Sequence, residues 1–253
     1  MNAPLLELRG LTLKAAGRTL LRDCTCGIAR GELVGVIGPN GAGKSSLLKA
    51  LAGLLPASKG VILLDGAPLS TFSAAERARR LAYLEQQPEA CWPLAVHEIV
   101  ALGLLDHGFG AQETARRIDA ALQESGCAAL RERRFHQLST GERMQVHLAR
   151  VLVSDTPLIL ADEPIAALDL WHQHHLLHTL HTRAAAGKTV IVALHDLALA
   201  ARYCSRLLLF DRGELVREGP AEIVLHPDLL ERCYRVRARF DPYSGALLYE
   251  ANL

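Results

Sequence analysis

Eight residues constrain this chain more than any others: Gly38-Pro39-Asn40-Gly41-Ala42-Gly43-Lys44-Ser45, a Gly-x-x-x-x-Gly-Lys-Ser string. It stands between an apolar run, Leu33-Val34-Gly35-Val36-Ile37, and a helical run from Leu47 to Leu55. Three glycines let the backbone wind tightly enough to aim its N–H groups inward, and the following helix offers its positive end to the same point. Such a loop is built to cradle a polyphosphate, with Lys44 reaching the outer phosphates, Ser45 ligating Mg2+ and Ser46 beside it. A plain Gly-rich turn at a helix start is the alternative, and the flanking strand and helix weigh against it.

A second element with related chemistry is Leu158-Ile159-Leu160-Ala161-Asp162-Glu163-Pro164, an apolar strand delivering two carboxylates at its C-terminal end, where parallel sheets bind ligands. Asp162 suits the magnesium shell, and Glu163 is placed to polarise an attacking water. A third element, Leu138-Ser139-Thr140-Gly141-Glu142, enters a helical run through Val146, Leu148, Ala149 and Leu152. Ser139 with Glu142 three residues on is a capping box, and a capped helix start with small residues is also a γ-phosphate site.

Size and charge narrow the classes. Half of the 253 residues are apolar, enough to bury a large α/β core without staples. Lys plus Arg number 28 against 27 for Asp plus Glu, so no overall positive field argues for nucleic acid. No apolar run approaches the ~20 residues that cross a bilayer. Met1-Asn2-Ala3-Pro4 opens no basic-then-apolar segment, so no secretory signal is expected. The six cysteines form no Cys-x-x-Cys pair and read as reduced, packed thiols; Cys24 and Cys26 fall on one face of a strand, poorly placed for a disulfide.

Along the chain, short strands are expected at 5–8, 11–13 and 19–28, an antiparallel β-layer, followed after the phosphate loop by a strand at 61–64, a helix at 74–80 and a strand at 81–84. From Val96 to Arg134 the spacing of Ile99, Leu102, Ile118, Ala121 and Leu122 turns helical. Beyond it, strands at 158–161, 189–194 and 206–210 alternate with helices at 170–186 and 197–203, which implies parallel strands buried on both faces. Residues 235–249 alternate around Asp241-Pro242-Tyr243-Ser244-Gly245 as a hairpin.

With these motifs in this order, essentially the whole chain resembles the nucleotide-binding subunits of ATP-binding cassette (ABC) transporters. Gly38 to Ser45 match the family's first nucleotide motif, Leu138 to Glu142 its signature motif, and Leu158 to Glu163 its second nucleotide motif. Gln86 matches the glutamine loop, with Gln87 as a twin; Ala167-Leu168-Asp169 match the D-loop, and His195 the switch histidine. The resemblance implies a P-loop NTPase core with a parallel sheet, an N-terminal antiparallel β-layer and an inserted α-helical subdomain. It implies one domain over 1–253, the core and β-layer in 1–88 and 156–253 and the helical subdomain in 89–155.

It further implies ATP and Mg2+ as ligands. Glu163 and His195 would flank the attacking water and γ-phosphate, and Gln86 would sense magnesium. Ser139, Thr140, Gly141, Glu142 and Asp169 would complete the site of a second copy in a head-to-tail homodimer. Partners implied are integral membrane permease subunits and, through them, a substrate-binding protein, at the cytoplasmic face of the inner membrane. The segment from Cys91 to Gly103 resembles cassettes serving iron-chelate, haem and cobalamin importers. A soluble cassette ATPase that remodels a protein or metal cluster shares every motif and stays open here.

Two departures from the family's pattern stand out. Where it stacks adenine on an aromatic before the Gly17-Arg18 turn, this chain has Ala15 and Ala16, and no Phe, Tyr or Trp precedes Phe72. Either Arg18 or Arg22 supplies a guanidinium plane instead, or adenine is simply held weakly; both readings stay open here. The signature's usual second-position glycine is Thr140. Finally, His172, His174, His175, His178 and His181 include pairs one helical turn apart, able to hold zinc or nickel, although sparse carboxylates favour a solvated helix face.

Overall fold

Strands that are apolar throughout need cover on both sides, and that need organises the molecule. The computed structural model describes residues 4–86, 93–105, 107–166, 168–244 and 246–249. At the N-terminus β1 (Leu6–Ala15) pairs antiparallel with β2 (Arg18–Ile28). The chain then enters β3 (Leu33–Ile37), passes through the phosphate loop into α1 (Lys44–Leu51), and returns to the antiparallel layer as β4 (Lys59–Leu64) and β5 (Ala67–Pro68). A short α2 (Ala74–Ala78) leads to β6 (Leu81–Leu84).

The helical insertion follows as α3 (Val96–Ala101), α4 (Ala111–Glu124) and α5 (Thr140–Leu152). Alternation then resumes with β7 (Leu158–Asp162), α6 (Leu170–Ala185), β8 (Thr189–Ala193), α7 (Leu197–Tyr203) and β9 (Arg206–Asp211). Next come β10 (Glu214–Gly219), α8 (Ala221–Val224), α9 (Pro227–Tyr234) and the hairpin β11 (Ala238–Asp241) with β12 (Ala246–Tyr249).

The main sheet runs β10-β9-β3-β8-β7-β6, parallel except for the antiparallel edge strand β10. Its side chains divide by parity, as a pleat requires. Val34, Val36, Leu158, Leu160, Ile191, Leu208 and Phe210 face a core shared with α1 and the antiparallel layer β2-β1-β4-β5. Leu33, Ile37, Ile159, Val190, Val192, Leu207 and Leu209 face a second core roofed by α3 to α9. In α4 only Ile118, Ala121 and Leu122 are buried, one stripe of an otherwise polar helix.

Several expectations need correction. The two short strands expected at 5–8 and 11–13 are one strand, β1, whose register shifts between Leu8 and Leu11 around Gly10 at φ +58°. α1 begins at Lys44 rather than Leu47, because Gly43, at φ +103°, is its N-cap. The C-terminal elements β10, α8 and α9 carry mixed, half-exposed patterns and are additional to the elements expected from the sequence. Gln87 and the Cys91-Trp92 start of the segment ending at Gly103 lie outside the described residues, as does Ala167 of the D-loop match.

Candidate active site at the carboxyl edge of the parallel sheet

The end of β3 feeds a loop whose glycines are there for contact as much as for conformation. A Cβ on Gly38 (φ +150°) would lie 2.2 Å from the Phe210 carbonyl oxygen, and one on Gly43 would lie 2.6 Å from that of Leu20. The loop is thus pressed between β9 and β2, which leaves the backbone wound around Lys44. Lys44 Nζ donates to the carbonyls of Gly38 (2.9 Å) and Pro39 (3.3 Å), and the residue is only 4% exposed. Burial lowers its pKa, opposed by the nearby carboxylates of Glu163 and Asp162. A buried cation resting on carbonyls gains most from an incoming polyanion.

Two carboxylates meet this loop from β7. Asp162, buried, accepts from Ser45 Oγ at 2.9 Å and from the Tyr83 hydroxyl at 3.2 Å. Burial raises its pKa, against those two hydrogen bonds, and raises that of the Tyr83 phenol. Glu163 follows in the left-handed region (φ +48°), an unusual conformation for a non-glycine residue that turns the chain at the strand end. Its Oε2 accepts from Gln86 Nε2 at 2.5 Å, while Oε1 lies 2.5 Å from His195 Nε2 and 3.8 Å from Lys44 Nζ. One buried carboxylate therefore joins the phosphate loop, the glutamine after β6 and the histidine after β8. A cleft of about 380 Å³ opens here, lined by Thr19, Leu20, Asn40 to Ser46, Glu163 and Arg212.

The structure does not bring the signature residues to this cleft; none of Ser139, Thr140, Gly141, Glu142 or Asp169 lines it. Ser139 caps α5 as expected: its hydroxyl accepts from Glu142 N (3.3 Å), and Glu142 Oε2 accepts from Ser139 N (2.8 Å). That backbone hydrogen bond holds the Glu142 carboxyl below its ordinary pKa. Asp169 caps α6, accepting from His172 N at 2.9 Å and lying 2.7 Å from His172 Nδ1. The His172 ring sits where a Cβ on Gly141 would meet it at 3.1 Å. Signature and D-loop residues thus form one exposed tip joined by His172. Thr140 is the first residue of α5, exposed, and its hydroxyl makes no hydrogen bond among the described residues. Thr140→Gly is expected to keep or raise steady-state ATPase activity; a tenfold or greater loss would show that the hydroxyl is needed.

The ABC transporter family profile matches residues 21–166, from β2 to just beyond Glu163. The chain belongs to the ABC transporter family. It is similar to the hemin import ATP-binding protein HmuV of Pseudomonas entomophila, 41% identical over 244 residues that cover 94% of this chain and 96% of that protein. It is also similar to the hemin import ATP-binding protein HmuV of Streptomyces coelicolor, 42% identical over 243 residues, covering 94% and 87%. Among solved structures it resembles cbiO1 from Clostridium perfringens, part of the ABC transporter complex cbiONQ, with a TM-score of 0.80 and 27% identity over 91% of this chain and 94% of that one. It resembles too the dimeric bacterial ABC transporter cassette MJ0796, with a TM-score of 0.78 and 27% identity over 85% and 98%.

As an ABC cassette the chain is an ATPase with a P-loop NTPase core. Sequence reasoning missed two of its side chains, Tyr83 on Asp162 and Arg212 on the cleft rim. Tyr83 is brought to Asp162 by strand pairing, since β6 lies beside β7 with Tyr83 opposite Leu160. Neither Arg18 nor Arg22 lines the cleft, and Arg22 is paired with Glu214 at 2.9 Å. Three of the α6 histidines of this ABC cassette are engaged by aromatic residues: His174 Nδ1 lies 2.8 Å from the Tyr203 hydroxyl, His181 Nδ1 lies 3.1 Å from the Tyr203 carbonyl, and His175 stacks on Trp171.

Proposed function

We propose that the chain is the ATP-hydrolysing subunit of an importer for haem or a related chelate, acting as a homodimer on membrane permease subunits. The observation that carries the hydrolytic part is Glu163, held at once by Lys44, Gln86 and His195. A carboxylate so placed can accept a proton from, or orient, a water attacking the γ-phosphate, while Lys44 offsets the charge on the outer phosphates. His195, at the start of the turn after β8, steadies the same carboxylate and would meet the γ-phosphate.

Ser45 Oγ and Asp162 Oδ1 form a hard oxygen set of the kind Mg2+ takes. Gln86, whose amide nitrogen is spent on Glu163, keeps its carbonyl oxygen free for the same ion. When bound, Mg2+ neutralises phosphate charge. Because Ser139 to Glu142 and Asp169 stand apart from their own chain's cleft, they are available to cap the cleft of a second copy, with the α5 N-terminus turned toward its phosphates.

Support for import, and for haem, comes from the hemin import relatives, which match nearly end to end. No helix among the described residues is long and apolar enough to cross a membrane. A groove of about 410 Å³ lined by Leu54, Tyr83, Leu102, Gly103, Arg150 and Glu85, the last next in sequence to Gln86, is the surface we assign to a permease segment. We place the subunit on the cytoplasmic face of the inner membrane, with a substrate-binding protein reached through the permease.

The test is co-purification of the tagged chain with its permease, then reconstitution in vesicles. Haemin uptake that depends on ATP and permease-stimulated hydrolysis is the expected result. Robust ATPase activity with no permease recovered and no uptake would reject the importer reading.

A further inference from the structure

The residue pair between β9 and β10, Arg212-Gly213, is a tight hairpin with both residues at positive φ, +48° and +83°. Such turns favour Asn or Gly at the first position, so a long arginine there is held against its preference. The turn is fixed to the phosphate loop and to β2. Gly213 N donates to the Ala42 carbonyl (3.1 Å), Arg22 N donates to the Gly213 carbonyl (2.7 Å), and a Cβ on Gly213 would lie 2.8 Å from the Leu20 carbonyl oxygen. Arg212 therefore springs from a backbone tied directly to the loop that holds Lys44. Its side chain lines the cleft beside Thr19 and Leu20, is 82% exposed, and has only a loose ion pair with Asp211 at 3.9 Å.

A nucleoside triphosphate with its phosphates around the buried Lys44 must lay its base on the remaining wall. Among the described residues that wall has no aromatic ring. The one extended planar group on it is the Arg212 guanidinium. We propose that Arg212 is the base platform of the nucleotide site, stacking its guanidinium on the ring of the bound nucleotide; this rests on the nucleotide cleft described above. Stacking does not read base edges, so the site should accept GTP nearly as well as ATP.

The test is calorimetric titration of wild-type, Arg212→Asn, Arg212→Lys, Arg18→Ala and Arg22→Ala proteins with ATP, GTP and inorganic tripolyphosphate, without magnesium so that no turnover occurs. Asn suits the left-handed turn, which keeps the fold intact while removing the plane. Arg212→Asn should weaken ATP and GTP about three- to tenfold and tripolyphosphate less than twofold. Arg212→Lys should stay weak for ATP, and the Arg18 and Arg22 variants should match wild type. ATP affinity of Arg212→Asn within twofold of wild type overturns the assignment. So does an equal loss for tripolyphosphate, which would make Arg212 a phosphate contact. Wild-type protein that binds none of the three ligands would overturn the nucleotide cleft itself, and this assignment with it.

Discussion

Glu163→Gln should abolish ATP turnover, by roughly 10²- to 10⁴-fold if the carboxylate serves as base or water-orienting acceptor. The amide has the same shape and fills the same 8%-exposed position, so the cleft should keep its form. What changes is the charge. The amide cannot take a proton, and its NH2 group faces one of two partners, Gln86 Nε2 or His195 Nε2, that now each meet the carboxylate at 2.5 Å. Lys44 loses a counter-charge 3.8 Å away, which makes the buried ammonium depend more on the bound phosphates. ATP affinity should therefore be kept while product formation stops, and a nucleotide-bound dimer should accumulate. Size-exclusion chromatography with light scattering, with and without ATP, reads the dimer; phosphate release reads turnover. Hydrolysis within tenfold of wild type would mean that Glu163 does not carry the step.

Gly38→Ala should be the most destabilising small change in the site. The added methyl would stand 2.2 Å from a backbone oxygen of β9, and the residue sits at φ +150°, outside the range side chains adopt. Neither a rotamer change nor a flexible neighbour relieves a clash with a central strand. Backbone strain and overpacking each cost about 1–3 kcal/mol, which for a domain of this size lowers the unfolding temperature by roughly 5–15 °C. The loop cannot reseat without moving Ala42 from Gly213, so stabilisation by ATP should vanish as well. Thermal unfolding with and without ATP measures both; a drop under 2 °C with ATP stabilisation intact would contradict this reading of the contact.

Much of the site was legible because its grammar is local. A phosphate loop, a strand ending in two carboxylates and a capping box are each read within eight residues, and in the structure Lys44 lies 3.8 Å from Glu163, Ser45 donates to Asp162 and Ser139 caps α5. Gln86 and His195 depended on family spacing, and both reach Glu163. Tyr83 and Arg212 were not legible. Tyr83 reaches Asp162, and Arg212 reaches the cleft, through strand pairing, β6 on β7 and β9 on β3, and no window of the sequence contains both partners. The bulge in β1 escaped notice for a different reason: Gly10 breaks the alternation that announces a strand while the hydrogen-bonded ladder carries on past it. The α6 histidines look like one cluster on a helical wheel, but the helix's own Asp169 cap and Trp171, with Tyr203 of α7, divide them.

The parity of the main sheet makes sequence neighbours strangers. Leu207 and Leu208 are joined by one peptide bond yet lie in cores on opposite sides of the sheet, whereas Leu208 and Ile191, far apart in the chain, share one. Packing errors introduced at adjacent strand positions should therefore sum independently, and compensation for a damaged residue is to be sought across the ladder rather than along the backbone. A chain wired this way can drift on its helical roof without disturbing the side of the sheet that seats α1.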